Sequence, residues 1–226
     1  PVKLSYSMRL SFDKVKDYEC ALHFNKEKAL FEWKEINKED KTKDKLQEEI
    51  SEGNVSIDIS DKSKLFVYSN LKKKKLYEKK PKLNKHFVLE ENIEKLKWEK
   101  IDSTKTIGKY NCKLATSEYR GRTYYAWFTT NIPSFWGPWK LNNLPGLIIE
   151  AFDTTKEIYI MATQINSVEK ISLNIFDDFE IVNEKVWAQK EKEYKENMKS
   201  KLMRNMPRSA KISNFKINEN KSFEMN

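Results

Sequence analysis

The order of apolar and polar residues predicts a chain built mainly from β-strands. Segments 2–10 and 18–24 alternate apolar and polar side chains with a period of two. Such alternation is typical of a half-buried strand, because successive side chains point to opposite faces of a sheet. Further short segments of strand character follow at 29–33, 55–59, 64–70, 86–90, 98–107, 110–119, 122–130, 147–153 and 157–165.

Turn residues join some of these segments into predicted hairpins. Arg120-Gly121 lies between segments 110–119 and 122–130 and predicts one hairpin. The polar residues 60–63 predict a second hairpin, between the two segments that flank them. The lysine run at 72–75 predicts an exposed loop.

The period changes near the C-terminus. Residues 183–204 place apolar side chains at helical spacing and contain neither glycine nor proline, which predicts one long helix. The highly charged segment 36–53 predicts a polar insertion or a helix, and 209–226 a loosely ordered tail.

Together these elements predict a mainly β fold of the α+β class. We expect a single strongly curved antiparallel sheet or half-barrel, with the C-terminal helix lying across it or at its edge. We also expect aromatic side chains to fill the concave side. The length of 226 residues suits one domain covering positions 1–226.

The stretch 126–150 stands out from this polar, lysine-rich chain. It holds two of the five glycines, three of the six prolines and three of the six tryptophans. Pro145 can fix φ at about −65° in a turn, and Gly146 can supply the positive φ that a type II turn needs next. This concentration of residues with special backbone properties indicates a local structural requirement.

The motif Asn143-Leu144-Pro145-Gly146-Leu147-Ile148 lies in this stretch, and segments 106–116, 119–124 and 126–129 precede it. Ile132-Pro133 and Gly137-Pro138-Trp139 complete the series. In this order the motifs resemble the GLPGLI family of Gram-negative bacteria over residues 95 to 165. Asparagine replaces the first glycine of the signature, and asparagine tolerates a positive φ better than most residues.

The resemblance implies an exported protein of the cell envelope and assigns no activity to it. The chain is also similar to the bowl-shaped β module that precedes the catalytic part of some secreted peptide-N-glycosidases, which implies a curved β architecture. Residue 1 is a proline, which indicates a mature or trimmed form; with the location that the resemblance implies, we expect an extracytoplasmic protein whose signal peptide has been removed. No apolar run in the sequence approaches the roughly 20 residues that span a membrane.

The formal net charge of +9 raises the question of a nucleic-acid partner. Nearly all of the positive charge is lysine, which alternates with acidic residues along much of the chain. Arginine, the residue that makes bidentate contacts to phosphate and guanine, occurs only at positions 9, 120, 122, 204 and 208. We therefore expect no nucleic-acid partner and interpret the lysines as a solvated surface.

Two groups of side chains are candidates for ligand binding. Phe135, Trp136 and Trp139 could form a stacking platform for a sugar or an apolar side chain, or they could plug the open end of the sheet. Arg120 and Arg122 could bind a carboxylate or phosphate, or they could be exposed turn residues. The sequence leaves both alternatives open.

The two cysteines, Cys20 and Cys112, could pair as a disulfide or join His23 and His86 in a zinc or copper site. Cys20 and His23 are three residues apart, which places them on opposite faces of a strand. We therefore predict the disulfide, with no metal and no cofactor.

Three functions follow from these observations. The first is a non-catalytic binding or accessory protein whose aromatic loop contacts a glycan, a peptide or a partner protein. The second is a hydrolase acting on envelope or glycan material through carboxylates, for example at 13–19 or 177–178. Metal binding is the third and weakest. The sequence contains no nucleophile elbow, HExxH motif or glycine-rich phosphate loop, so we favour the first; the oligomeric state stays open.

Overall fold

The computed structural model describes residues 2–12, 14–36, 54–58, 64–80, 86–167, 179–205 and 214–218. Residues 54–58 and 214–218 are described by their backbone alone. The elements in these ranges are β1 (Val2–Ser11), β2 (Val15–Phe24), β3 (Lys28–Glu35), β4 (Asn54–Asp58), β5 (Leu65–Asn70), β6 (Lys75–Lys79), β7 (Phe87–Asn92), β8 (Glu99–Ile107), β9 (Tyr110–Tyr119), β10 (Arg122–Thr129), β11 (Leu147–Asp153), β12 (Ile158–Ser167), β13 (Glu180–Val182), helix α1 (Glu184–Asn205) and β14 (Asn214–Asn218).

Twelve of these strands form one open, curled sheet, in the order β13-β7-β6-β5-β3-β2-β1-β12-β11-β10-β9-β8. The pairs within it are antiparallel, apart from the parallel pair of β13 and β7. β4 and β14 form a separate parallel pair. The predicted fold class is therefore confirmed: the described chain is mainly β, with one large curved sheet and a helix near the C-terminus.

The period-two pattern of the first strands produces the core as predicted. Leu4 and Tyr6 of β1 lie opposite Leu22 and Cys20 of β2, and all four side chains are buried. The intervening residues face outward. One strand therefore contributes apolar area to the interior and polar groups to the solvent, which is the arrangement that a one-sided antiparallel sheet requires.

The prediction that segments 55–59 and 64–70 pair as a hairpin is wrong. β5 pairs with β3 and β6, whereas β4 pairs with β14. β5 lies inside the sheet, so both of its edges are already paired and neither is left for β4. The lysine run matches its prediction at 72–74, which are exposed in a turn, whereas Lys75 already begins β6.

Helix α1 lies at the edge of the sheet, one of the two positions predicted for it. The side chain of Asn183 caps its first turn by accepting a hydrogen bond from the amide of Val186 at 2.9 Å. Trp187 packs against Phe87 of β7, with ring centroids 5.8 Å apart. In the described part of the chain, no helix is both long and apolar enough to cross a membrane. Predictions for 37–53, 209–213 and 219–226 lie outside the described residues.

Aromatic and aliphatic side chains fill the interior of the curved sheet. Much of this material comes from the connection between β10 and β11, residues 130–146, which we call the inserted loop. Trp136, Trp139, Leu141 and Leu144 of this loop are all buried in the same cluster as the strands. The expectation of an aromatic-filled concave side therefore matches the structure, and a loop rather than the strands alone supplies the filling.

Gly146 is required for a different reason from the one its motif suggested. Its φ is not in the left-handed region; instead, a Cβ atom at this position would lie 2.1 Å from the carbonyl oxygen of Thr129. The left-handed residues of the inserted loop are Trp139, with φ of 54°, and Asn143, with φ of 70°. Asparagine thus occupies a position where the backbone conformation favours glycine or asparagine.

We expect Gly146→Ala to destabilise the protein by roughly 3 kcal/mol or more, because the new methyl group meets backbone atoms that have no room to move. Gly108→Ala is the matched control: its φ is +58°, but nothing lies within 4 Å of the added Cβ, so its cost should be about 1–2 kcal/mol. Urea unfolding of both variants measures the difference. Equal costs would show that Gly146 is not closely packed.

Candidate functional site

The inserted loop folds into a small hairpin of its own. Trp136 and Asn142 form an isolated β-bridge. The amide of Gly137 donates to the carbonyl of Leu141 at 2.9 Å, and the amide of Asn143 donates to the carbonyl of Phe135 at 2.8 Å. These bonds satisfy backbone groups that would otherwise be buried without partners, which allows the tip of the loop to enter the core.

Two asparagine side chains fasten this hairpin to the segment between β7 and β8. The amide nitrogen of Asn142 donates to the carbonyl of Glu94 at 2.9 Å, and that of Asn143 donates to the carbonyl of Leu96 at 2.9 Å. The indole nitrogen of Trp98 donates to the carbonyl of Asn142 at 2.7 Å. Side-chain amides therefore act here as a substitute for strand pairing.

A buried charge cluster holds the tip of the loop from the other side. The side chain of Lys140 is fully buried, and its ammonium group lies 2.9 Å from Glu78 and 2.6 Å from Glu91. Lys80 pairs with Glu78 at 2.8 Å, and Arg120 pairs with Glu91. The cluster links the loop to β6 and β7, which lie in the opposite half of the sheet from β10 and β11.

The pKa of Glu78 shows how strongly this cluster is charged. Burial alone raises the pKa of a carboxyl group, but the positive charges of Lys140 and Lys80, with their hydrogen bonds, outweigh burial here. The net result lowers the pKa of Glu78 to about 2. Glu78 is thus held as a carboxylate, which makes it a partner for Lys140 rather than a proton donor.

Neither of the predicted ligand-binding arginines lies at an open anion site. Arg120 contacts Glu91 and lies over the ring of Tyr119. Arg122 is almost fully buried, and its guanidinium contacts Asp153 at 2.6 Å and Glu157 at 2.9 Å. Burial alone would lower the pKa of Arg122, but these two carboxylates raise it overall. Both arginines have structural partners within the chain.

The three predicted aromatic residues occupy two different environments. Trp139 is 3% exposed and lies between the rings of Tyr119 and Tyr124, with centroids 5.7 and 6.0 Å away. Trp136 is 4% exposed, and its indole nitrogen donates to the carbonyl of Asn25 at 2.8 Å. Phe135 is only partly buried and packs edge-on against Trp136 at 5.0 Å. The two tryptophans belong to the core, whereas Phe135 reaches an opening.

That opening, which we call the Phe135 cleft, has a volume of about 600 Å³. It lies between the start of β1, the turn that joins β2 to β3, and the outer side of the inserted loop. The residues that line it are largely apolar: Val2, Phe24, Asn25, Lys26, Pro133, Ser134, Phe135, Trp136, Leu144 and Pro145. Its size and lining are those of a site for a small apolar group.

The side-chain oxygens of Asn25 and Ser134 in the Phe135 cleft already form hydrogen bonds within the protein. The side-chain oxygen of Asn25 accepts hydrogen bonds from the amides of Glu27 and Lys28 at 2.9 and 2.8 Å. The hydroxyl of Ser134 donates to the carbonyl of Trp136 and accepts from its amide. The cleft thus offers a ligand mostly apolar contacts, together with the charge of Lys26.

None of the described residues that line the Phe135 cleft carries a carboxylate. The pKa of Glu78 and that of Glu90 are both lowered, whereas a glycosidase needs one carboxyl group with a raised pKa. Asp17 forms a surface ion pair with Arg9 at 2.7 Å. Glu19 is exposed on β2, and residues 13, 177 and 178 lie outside the described residues. The geometry of the described residues therefore gives the hydrolase hypothesis no support.

The predicted Cys20–Cys112 disulfide is absent. Both cysteines are buried free thiols, and their strands, β2 and β9, are separated by four others in the sheet. Burial raises the pKa of both thiols. His23 lies on the opposite face of β2 from Cys20 and 3.9 Å from Glu32. Among the described residues, no three His, Cys, Asp or Glu side chains are grouped so that they could hold a metal ion.

The sequence patterns do not identify the residues that position the inserted loop. They indicate a solvated surface for the lysines, Lys140 among them, and do not single out Asn142, Glu78 or Glu91. The available signal was local: Lys140 and Asn142 lie in the most apolar part of the chain, where a polar side chain needs a partner. Glu94 lies 48 residues from Asn142 and Glu91 lies 49 residues from Lys140, and Glu78 is more distant still, so no local pattern could identify these partners.

Comparisons with known proteins identify structures of similar fold but do not assign the chain to a family. No family model matches the chain, and no curated protein matches it. Two solved crystal forms of PNGF-II, a peptide-N-glycosidase, are similar in structure. The first has a TM-score of 0.57 at 14% identity, over 86% of this chain and 33% of PNGF-II; the second has a TM-score of 0.54 at 16% identity, over 84% and 32%. The chain therefore spans about one third of the length of PNGF-II, and the likeness at this identity shows a shared fold.

We expect Lys140→Met to destabilise the protein by roughly 3 kcal/mol, because it leaves two buried carboxylates without their shared partner. The matched control is Lys75→Met, which removes a half-exposed ion pair with Glu90 at 2.8 Å and should cost less than about 1 kcal/mol. Chemical denaturation of both variants at neutral pH provides the measurement. Similar losses in the two variants would argue against the buried charge cluster as an anchor.

Proposed function

We propose that this protein is an exported, non-catalytic binding or accessory module of the bacterial cell envelope. Its ligand is a glycan, a peptide or a partner protein, and the Phe135 cleft receives an apolar part of that ligand. The observation that carries this proposal is the composition of the cleft: it is open and apolar, it has a partly exposed aromatic ring, and its lining, in the part of the chain that the structure describes, includes no carboxylate.

The physical chemistry of the cleft supports binding more than catalysis. Burying an apolar side chain in such a cleft stabilises a complex by about 25 cal/mol for each Å² removed from water. Acid–base or nucleophilic chemistry requires a reactive side chain within reach of the ligand. The lining supplies phenylalanine, tryptophan, proline, leucine and valine, with Lys26 as its charged member.

Two resemblances support the cellular role. The ordered motifs from 106–116 to 143–148 resemble the GLPGLI family of exported proteins, and we propose membership in that family on these residues. The fold is shared with part of PNGF-II, which is consistent with a role connected with glycans. We place the protein outside the cytoplasm on the same grounds.

The function is tested by replacing Phe135 and measuring binding on a glycan and peptide array. Phe135→Ala removes the ring that is exposed in the cleft, so binding of the ligands that the wild-type protein retains should weaken roughly tenfold. Trp136 is less suitable, because its burial and its bond to Asn25 make the fold depend on it.

Phe152→Ala is the matched control for this test. Phe152 is also a partly buried phenylalanine, and it stacks on Tyr125 at 5.5 Å. Because Tyr124 faces the core, Tyr125 and its neighbour Phe152 face the other side of the sheet. Thermal unfolding verifies that both variants fold. Unchanged binding in Phe135→Ala, or an equal loss in Phe152→Ala, would overturn the assignment of the Phe135 cleft.

A further inference from the structure

The lysine run of the sequence lies beside the Phe135 cleft. Its turn, residues 71–74, contacts the turn that joins β2 to β3. The amide of Leu71 donates to the carbonyl of Glu27 at 2.8 Å, and the ammonium group of Lys72 lies 2.9 Å from the carboxylate of Glu27. Glu27 directly follows Lys26, which lines the cleft. The two turns therefore form one continuous rim at this side of the opening.

The backbones of both turns are fixed by short-range hydrogen bonds. Asn25 caps the first turn through the amides of Glu27 and Lys28. In the second turn, the side chain of Asn70 accepts from the amide of Lys73 at 3.2 Å, and the amide of Lys74 donates to the carbonyl of Leu71 at 3.1 Å. The backbone of the rim is thus held in place, and its lysine side chains extend from it into solvent.

The rim is strongly basic. We define the lysine rim as Lys26, Lys72, Lys73 and Lys74, all of which are exposed. The two turns, 25–28 and 71–74, together contain five lysines and one glutamate. At physiological salt, charges act over about 8 Å, so the rim can influence a ligand that occupies the adjacent cleft. An anionic ligand is attracted to such a rim and a cationic one is repelled.

The contacts inside the cleft favour a polypeptide over a glycan. Recognition of a sugar depends on hydrogen bonds to its hydroxyl groups, yet the oxygens of Asn25 and Ser134 and the indole nitrogen of Trp136 already bond within the protein. An apolar side chain of a peptide needs no such bonds, because it gains stability from burial alone. Acidic residues on either side of it would lie against the lysine rim.

We propose that the ligand of the Phe135 cleft is an acidic polypeptide segment that inserts one apolar side chain beside Phe135 while its carboxylates face the lysine rim. This inference rests on the proposed function and specifies its ligand. The lysine run of the sequence then acts as an electrostatic guide for the partner, in addition to keeping the surface solvated.

The test measures fluorescence anisotropy of labelled twelve-residue peptides with the whole chain. The probes are a Glu/Ser peptide with a central Trp, the same peptide with Ser replacing Trp, and Ser-only and Lys/Ser peptides that keep the Trp. A labelled uronic-acid oligosaccharide represents acidic glycans. We expect the acidic Trp peptide to bind tightest, and its affinity to fall when salt rises from about 20 to about 300 mM, because added salt shortens the range of the interaction.

Two sets of variants separate the contributions. Lys26→Gln combined with Lys72→Gln should weaken binding of the acidic Trp peptide roughly tenfold, as expected for two partly screened charge contacts. Lys100→Gln combined with Lys113→Gln removes two exposed lysines of β8 and β9 and should leave binding unchanged. Phe135→Ala should weaken the acidic and the neutral Trp peptides equally.

Each outcome decides one of the two proposals. If the rim variant binds like wild type, or if the neutral peptide binds as tightly as the acidic one, the acidic partner is excluded while a loss in Phe135→Ala still supports the cleft. Tighter binding of the oligosaccharide excludes the polypeptide. If Phe135→Ala changes no affinity, the proposed function fails as well. An absence of binding by every probe also contradicts the acidic partner.

Discussion

The ion pairs of Lys140 with Glu78 and Glu91 fix the position of the tip of the inserted loop. The packing of the interior depends on that position. A charge moved from water into a protein interior is unfavourable unless it is paired and hydrogen-bonded. Here the tip of a long connection carries a fully buried lysine, and Glu78 and Glu91 from the far half of the sheet meet it there. The ion pairs have defined geometry, so they fix where the tip of the loop must lie. Apolar packing of Trp139 and Leu141 alone would specify that position less strictly.

This constraint explains why a loop fills the core. Connections usually run over the surface, because their backbone groups need water or another partner. The inserted loop supplies partners by two means: hydrogen bonds within its own hairpin, and the side-chain amides of Asn142 and Asn143, which donate to the backbone of 94–96.

The same arrangement determines which surface of the loop remains available for binding. Trp136 and Trp139 are committed to the interior, so the outer side of the loop, with Phe135, forms the wall of the cleft. The basic turns that border this wall lie at the ends of strands whose positions the sheet fixes.

Most strands and the helix followed from local patterns, because period-two and helical spacing reflect which side of an element faces the core; β6, β13 and β14 were not predicted. The hairpin at Arg120-Gly121 followed from the same kind of local rule, and both residues adopt a positive φ. Pairing between distant segments was not predictable in this way. β4 pairs with β14 at the other end of the chain, and β6 has two adjacent buried residues, Leu76 and Tyr77, that mask its period.

The role of Asn143 was predictable in part. Its tolerance of positive φ was visible in the sequence, whereas its hydrogen bond to the carbonyl of Leu96 was visible only in the fold. The cysteine pairing failed because counting thiols carries no information about which strands lie together.

The inserted loop is part of the core and should open only when the whole sheet unfolds. Native-state hydrogen exchange measures this directly at the amides of Gly137, Leu141 and Asn143, each of which donates within the loop hairpin. We expect these amides to exchange with the same opening free energy as the amide of Leu4 in the central strand β1, because no smaller opening can expose them. Exchange of the loop amides at an opening free energy well below that of Leu4 would contradict it, since the loop would then move independently of the sheet.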